Sequence, residues 1–424
     1  MNLGFLRCLL ALAAAFSLAP PPLDAQEPGS ELTVYLLTMG AGDEVWEKFG
    51  HNAIWIHDAR NESDVAYHWG LFDFADKDFI PRFVQGRMRY SMGAFDMVQT
   101  VEQYRRANRT VWAQELNLSP MQRQALSEFV AWNNRPENRH YRYDYYRDNC
   151  STRVRDALDR ALGGLIRAAS GSVPSRSTYR FHTSRVTQDD LPIFSGIMLG
   201  LGEPVDREIS AWEEMFLPVR MMDRFRSIRV SRNGTSEPLV RNERVLFQAT
   251  RSAEDTEVRR SFLEYLALAA VLVALGAAAV KFGGQAGATG VTTVAAVWSI
   301  IAGLAGVFVW GLWIFTDHLY SYRNENVLQV TPLSLVLAVL LARVIGSRRK
   351  SADYGSSEKG RRSALWFARL IGGLSLLGFV IQIFPVFDQV NGYVIALTLP
   401  LHLAVIALLL SMNPMEGRQP LQPL

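Results

Sequence analysis

Residues 148–164 read Asp148-Asn149-Cys150-Ser151-Thr152-Arg153-Val154-Arg155-Asp156-Ala157-Leu158-Asp159-Arg160-Ala161-Leu162-Gly163-Gly164. Val154, Ala157, Leu158, Ala161 and Leu162 recur at the spacing of an amphipathic helix, and the glycine pair ends it. The helix therefore begins at or beside Cys150. Unpaired amides and the positive end of the helix dipole favour an anion there, a setting that lowers a thiol pKa. Arg147 and Arg153 push in the same direction.

Whether that thiol is used depends on its compartment. Arg7, an apolar run over Leu9 to Leu18, the prolines at 20–22 and Ala25 form a signal peptide, residues 1–25. Cleavage near Ala25 removes Cys8, which precedes the apolar run and is badly placed for lipid attachment. The chain has two cysteines, so Cys150 remains without an intrachain partner in an oxidising exterior where cysteines usually pair. It is then either a working nucleophile or a small buried apolar residue.

The 424 residues carry a net charge of +3, and their composition changes partway along. Residues 26–255 are rich in Arg, Asp, Glu, Tyr and Trp. Residues 261–411 are mostly apolar, with stretches at 262–280, 291–315, 327–345, 364–384 and 390–411, each near the ~20 residues a helix needs to cross a bilayer. Arg348, Arg349, Lys350, Lys359, Arg361 and Arg362 cluster after the third stretch, with Arg343 just inside it, and mark a cytoplasmic loop. Three crossings back, the domain before Phe262 is outside, as the signal peptide requires, and the tail 412–424 with Arg418 is cytoplasmic. The expected fold is an exported α+β domain followed by an all-α five-helix transmembrane domain.

Within the exported domain, Glu31 to Met39 reads as a buried strand. A turn at Gly40 and Gly42 and a short helical stretch to Phe49 follow. Asn52 to Ile56 and Val65 to Phe72 read as adjacent strands joined by a turn around Asn61. Ser119-Pro120-Met121-Gln122 is a capping box that opens a helix to about Trp132. Residues 165–255 are Arg-rich and irregular, with one strand-like run at Val245 to Gln248.

A cysteine nucleophile needs a base within hydrogen-bond reach. His51 follows a glycine at the start of a strand, where a ring faces a crevice, although a lone loop histidine is ordinarily a surface residue. His68 lies on the next strand and is a third polar group able to orient the base. His57 and His140 read as solvated, and His182 carries no signal.

The segments Gly42-Asp43-Glu44, Phe49-Gly50-His51-Asn52-Ala53, Trp69-Gly70-Leu71-Phe72-Asp73-Phe74 and Tyr143 to Asp156 together resemble the DUF4105 family, associated with the bacterial lipoprotein N-acyltransferase Lnb. The order of His before Asn-Cys also resembles circularly permuted papain-like (NlpC/P60-related) domains such as the lecithin:retinol acyltransferases. The resemblance implies Cys150 as nucleophile and His51 as base. It implies a phospholipid acyl donor, a Cys150 thioester, and the N-terminal amine of a diacylated lipoprotein as acceptor, at the bacterial inner membrane.

Further candidates for orienting or binding substrate are His68, Asn149, Arg153, Asp317 and His318. Arg153 either meets an anionic head group or pairs with Asp156 three residues on. Asp317 and His318 end an apolar run on the outward side, where ionisable groups are often functional. Trp298, Trp310, Trp313 and Tyr320 read as lipid-packing and interfacial residues. Without HExxH, paired CxxC or a P-loop, the reading includes no cofactor, metal or nucleic acid. The alternatives are a cell-wall amidase or peptidase using the same Cys-His pair, and a non-enzymatic membrane sensor or assembly factor with a structural cysteine.

Overall fold

The structure, a computed structural model, describes residues 27–232, 234–252, 254–349 and 354–412. The signal peptide, Cys8, Lys350 and the tail beyond Met412 lie outside the described residues.

Eleven strands are present among them: β1 Leu32–Met39, β2 His51–Asp58, β3 Ser63–Leu71, β4 Arg89–Asp96, β5 Val111–Leu116, β6 His140–Arg142, β7 Pro174–Thr178, β8 Glu208–Ser210, β9 Arg229–Arg232, β10 Thr235–Pro238 and β11 Val240–Phe247. Seven build one antiparallel sheet in the order β11-β5-β1-β2-β3-β4-β6. Helices of the same domain are α1 Phe79–Gln85, α2 Met97–Arg106, α3 Pro120–Asn133, α4 Cys150–Ala161, α5 Leu165–Ser170, α6 Tyr179–Thr187, α7 Leu191–Gly200, α8 Ala211–Glu214 and α9 Pro218–Ser227.

The near-continuous apolar run of β1 follows from its central place, covered on both faces. Leu32, Val34 and Leu36 join Ile54, Ile56 and Trp69 beneath Leu126 and Val130 of α3 and Val154 and Leu158 of α4. Leu37, Met39, Ala53 and Ala66 face the other way, against Met97 and Tyr104 of α2. Burying each Val or Leu of α4 is worth roughly 1.5–3 kcal/mol relative to exposure, which fixes the helix on the sheet. Ser119 and Gln122 form the expected capping box of α3.

Several local expectations change. Residues 43–49 form turns rather than a helical stretch, and the irregular segment 165–255 contains α5 to α9 and β7 to β11. The run at Val245 extends back to Val240 as β11, held at the sheet edge against β5. These helices escape periodicity because they are short or buried nearly all round. In α6, for instance, Arg180, His182 and Arg185 are buried together with Tyr179.

Beyond residue 261 come α10 Phe262–Phe315, α11 Leu333–Arg349, α12 Tyr354–Val380 and α13 Gly392–Ser411. Among the described residues four helical runs are long and apolar enough to cross a membrane, where the sequence predicts five spans. The difference lies in α10, which merges the stretches 262–280 and 291–315. Its 54 residues are broken at Gly284, whose φ of 54° and ψ of −133° are not helical. A Cβ on Gly287 would lie 1.9 Å from the Ala279 carbonyl oxygen, and one on Gly276 would touch Val291. The two parts of α10 therefore fold back side by side.

The two halves are pinned together. Asn324 donates to the Leu199 and Gly200 carbonyls at 2.9 and 3.1 Å, satisfying the end of α7. Tyr320, read from sequence as an interfacial anchor, is buried instead and packs on Tyr146 at 4.6 Å and Tyr179 at 5.9 Å between ring centroids.

Close packing of α10 on α11 depends on Gly303, where a Cβ would sit 2.6 Å from Leu335 Cγ. Gly303→Leu is expected to cost about 1–3 kcal/mol through overpacking. Thermal unfolding of the full-length protein in detergent should show a lower midpoint, whereas Gly311→Leu, which faces open space, should leave it unchanged.

Candidate active site

The site forms where a strand ladder stops. Pairing of β2 with β3 ends at Ala53–His68, and the following register is disturbed between Trp69 and Leu71 on the β4 side. Gly70 lies in that irregularity with φ of +91°, and a Cβ there would be 3.1 Å from the Cβ of Cys150. A left-handed backbone without a side chain thus lets the start of α4 approach the strands. The backbone N–H groups of Asn52, Ser151 and Cys150 itself lie close enough to the Cys150 sulfur to favour its thiolate against burial.

Asn149 caps α4. Its side chain accepts from the Thr152 N–H at 2.9 Å and donates to the carbonyls of Tyr145 and Phe216, both at 3.0 Å. Ser151 Oγ lies 2.7 Å from both Asn52 Oδ1 and the Met215 carbonyl oxygen. Asn52 in turn donates to the Leu37 carbonyl and Thr38 Oγ1 at 2.9 and 3.0 Å. These buried bonds fix both the helix start and the strand carrying His51.

Gly50, with φ of +78°, turns the chain into β2 and delivers His51 at its first residue. His51 Nε2 is 3.0 Å from His68 Nδ1, with the rings nearly parallel at 5.2 Å. The sequence candidates His51 and His68 are thus brought together, one residue before Asn52 and two before Gly70, the two positions that adjoin Cys150. Tyr104 stacks on His51 at 6.3 Å. Arg109, buried, lies over the Tyr104 ring at 4.8 Å, donates to the Gly40 carbonyl at 2.8 Å and pairs with Glu47 at 3.0 Å.

Electrostatics overturn one sequence expectation. Burial pushes the Cys150 thiol above its ordinary value, opposed by the three N–H groups and the Arg109 charge. A helix terminus contributes typically 0.3–1 kcal/mol, less than one pKa unit, while burial shifts such groups by up to ~3–5 units. The flanking arginines are committed elsewhere: Arg147 lies over Tyr320 at 5.7 Å, and Arg153 ion-pairs with Asp148 and covers Tyr141 at 4.2 Å. Burial, His68 and Arg109 hold His51 well below the usual histidine range. Burial brings His68 down to about 4. At neutral pH Cys150 is a thiol and both imidazoles are neutral.

Arg153 does not pair with Asp156, whose partner is Arg155 at 2.8 Å. The Arg153 side chain reaches back toward the helix start instead, as helical side chains do. Together with Trp69 and Arg160 it lines a cavity of about 650 Å³, whose lining includes neither His51 nor His68 nor Cys150. Asp317 accepts from Arg87 at 2.8 Å and Arg142 at 3.1 Å. His318 uses both ring nitrogens, 2.9 Å from Tyr145 Oη and 3.0 Å from the Phe83 carbonyl oxygen. His57 pairs with Asp64 at the surface. His182 is fully buried between Ser177 and Glu214. Among the described residues no group of three or more His, Cys, Asp or Glu side chains is arranged to hold a metal ion.

Arg109, Tyr104, Asn52 and Gly70 escape sequence reasoning as site residues. Only Gly70 had a local signal, an isolated glycine within a strand pattern.

A raised thiol pKa makes a direct prediction. Iodoacetamide alkylation of Cys150 in the full-length protein should be slow at pH 7 and rise about tenfold per pH unit toward pH 9, following the thiolate fraction. A plateau already reached at neutral pH would mean a preformed thiolate.

Residues 20–185 match the family model described as the Lnb N-terminal periplasmic domain, a segment that contains His51, His68 and Cys150. No curated protein and no solved structure matches the chain. The molecule thus carries an Lnb-type N-terminal periplasmic domain followed by a helical region in which, among the described residues, four apolar helices are long enough to cross a membrane.

Proposed function

We propose that the protein is a cysteine-dependent acyltransferase that moves an acyl chain from a membrane phospholipid to the N-terminal amine of diacylated lipoproteins. The observation that carries this reading is the histidine pair, His51 Nε2 on His68 Nδ1 at 3.0 Å, carried on the same strand ends, at Asn52 and Gly70, that adjoin a cysteine at a helix start. The match to the Lnb periplasmic domain over residues 20–185 supports the choice of acceptor.

The neutral states favour a general-base sequence. His51 Nε2 is engaged by His68, which leaves Nδ1 to take the Cys150 proton. The sulfur attacks the phospholipid ester carbonyl, and backbone N–H groups at the helix start stabilise the oxyanion. The carbon–oxygen ester bond breaks, and the departing lysophospholipid oxygen receives the proton from His51. Cys150 then holds the acyl group as a thioester. The lipoprotein amine attacks that carbonyl, His51 accepts the amine proton, and the proton returns to sulfur as the amide forms.

In this reading His68 and Asn149 are positioning residues, as are Arg153, Asp317 and His318, whose polar groups are committed to protein partners. The catalytic domain is of the circularly permuted papain-like kind in a DUF4105-type chain. It faces the periplasm from the inner membrane. The fold-back at Gly284 supports five crossings rather than four, with the C-terminus on the cytoplasmic side beside Lys359, Arg361 and Arg362.

Cys150→Ser tests the acceptor. In cells that depend on this protein, mass spectra of lipoprotein N-terminal peptides should change from triacylated to diacylated. Unchanged triacylation would overturn the proposal, and altered peptidoglycan fragments alongside it would point to the amidase alternative.

A further inference from the structure

The acyl-transfer reading leaves open how a lipid chain reaches a sulfur set among strand ends. The segment just after Gly70 carries a surface unlike the rest of the domain. None of the seven residues of α1, Phe79-Ile80-Pro81-Arg82-Phe83-Val84-Gln85, is buried. Ile80 and Val84 are 59% and 57% exposed. Trp46 and Phe74, at 51% and 57% exposed, stand edge-to-face beside it, 5.4 Å apart. An isolated apolar side chain on a surface needs no explanation, but a contiguous aromatic and aliphatic patch marks an interaction site.

What covers this patch follows from how α1 is attached. The Asp317 N–H donates to the Gln85 carbonyl at 2.8 Å. A Cβ on Gly86 would lie 2.8 Å from the Asp317 carbonyl carbon and the His318 nitrogen, and His318 Nε2 meets the Phe83 carbonyl oxygen. Asp317 and His318 come just after Phe315, the last residue of the apolar helix α10 and itself 80% exposed. The patch is thus fastened to the end of a membrane-spanning helix. Arg87 and Arg142 share the single carboxylate of Asp317 and are about 60% exposed, while Arg82 of α1 is paired with both Asp76 and Asp78. Apolar side chains flanked by exposed arginines are what the bilayer interface accommodates.

A line of rings runs inward from the patch. Phe79 lies 5.6 Å from Phe72, Phe72 lies 5.1 Å from Tyr90, and Tyr90 stacks on Tyr143 at 4.2 Å. Tyr90 and Tyr143 are both close enough to Cys150 for its charge to raise their hydroxyl pKa. All four rings are only partly covered.

We propose that the patch of Trp46, Phe74, Ile80, Phe83 and Val84 sits within the outer-leaflet interface, and that the rings from Phe79 to Tyr143 receive a phospholipid acyl chain. The acyl-transfer reading supplies what happens to that chain at Cys150, while the seating stands on geometry alone. Two measurements on the full-length Cys150→Ala protein in phosphatidylcholine–phosphatidylglycerol vesicles test it. A nitroxide on Ile80→Cys should show a several-fold higher ratio of oxygen to nickel-chelate collisions than one on Met121→Cys, which is 75% exposed on α3. A phosphatidylcholine with a diazirine in its acyl chain should label peptides spanning 72–95. Equal collision ratios at the two positions, or label confined to residues 262–411, would overturn the proposal. Seating and labelling as expected, in a protein whose wild-type Cys150 never becomes acylated, would support the lipid site and overturn the acyl-transfer reading.

Discussion

The active-site geometry depends on β2 and β3 ceasing to pair beyond Ala53 and His68. A continued ladder would engage the Asn52 N–H across the strands. Beyond its end the Asn52 N–H lies close enough to the Cys150 sulfur to favour the thiolate, and Gly70 leaves room for the helix start to approach within 3.1 Å of where a side chain would be. Cys150, His51 and His68, the three residues to which the proposed chemistry assigns nucleophile, base and orienting group, come from a helix and two strands meeting at one broken end. The buried Asn52–Ser151 contact and the Asn149 cap hold that meeting point through bonds whose loss would strand buried polar groups, at ~1–3 kcal/mol each.

Burial then sets the chemistry. Desolvation acts on Cys150 and both histidines in the same sense, toward neutral forms. A buried thiolate–imidazolium pair would require two charges to be held with few compensating partners. The neutral arrangement keeps the sulfur a thiol at rest, which is compatible with the proposed transfer between two lipid-borne substrates. Arg109 tempers the effect, since its charge opposes the rise at Cys150 while lowering His51 further.

Much of this was readable from the chain. The apolar spacing of Val154, Ala157 and Leu158 located α4 and placed Cys150 at its start, and the Ser119 capping box located α3. The strand carrying His51 and the one carrying His68 were visible as aromatic and β-branched runs. That their rings meet was not, because it depends on strand register and on an irregularity at Gly70. Arg109 and Tyr104 are far from the motif segments, and only folding brings them to the site. The thiol pKa was misjudged because the helix start is legible in sequence and the burial that outweighs it is not. Tyr320 failed for a related reason: an aromatic residue near the end of an apolar run looks the same whether lipid or the exported domain covers it. In 165–255, α6 and its neighbours bury charged and polar residues beside apolar ones, which erases the pattern that sequence reading uses.

The coupling of the two halves gives the membrane region a role beyond anchoring. Asp317, His318, Tyr320 and Asn324 each bond to or pack on the exported domain, so the end of α10 and the segment before α11 fix its attitude over the bilayer. The central claim is that Cys150 carries the acyl group. The most direct measurement is the mass of the peptide containing Cys150 after the purified protein is mixed with phospholipid vesicles and no acceptor. The account predicts the added mass of one acyl chain, removed by neutral hydroxylamine and absent when His51 is replaced by Ala. An unmodified peptide from wild-type protein that still converts lipoproteins when acceptor is supplied would contradict it.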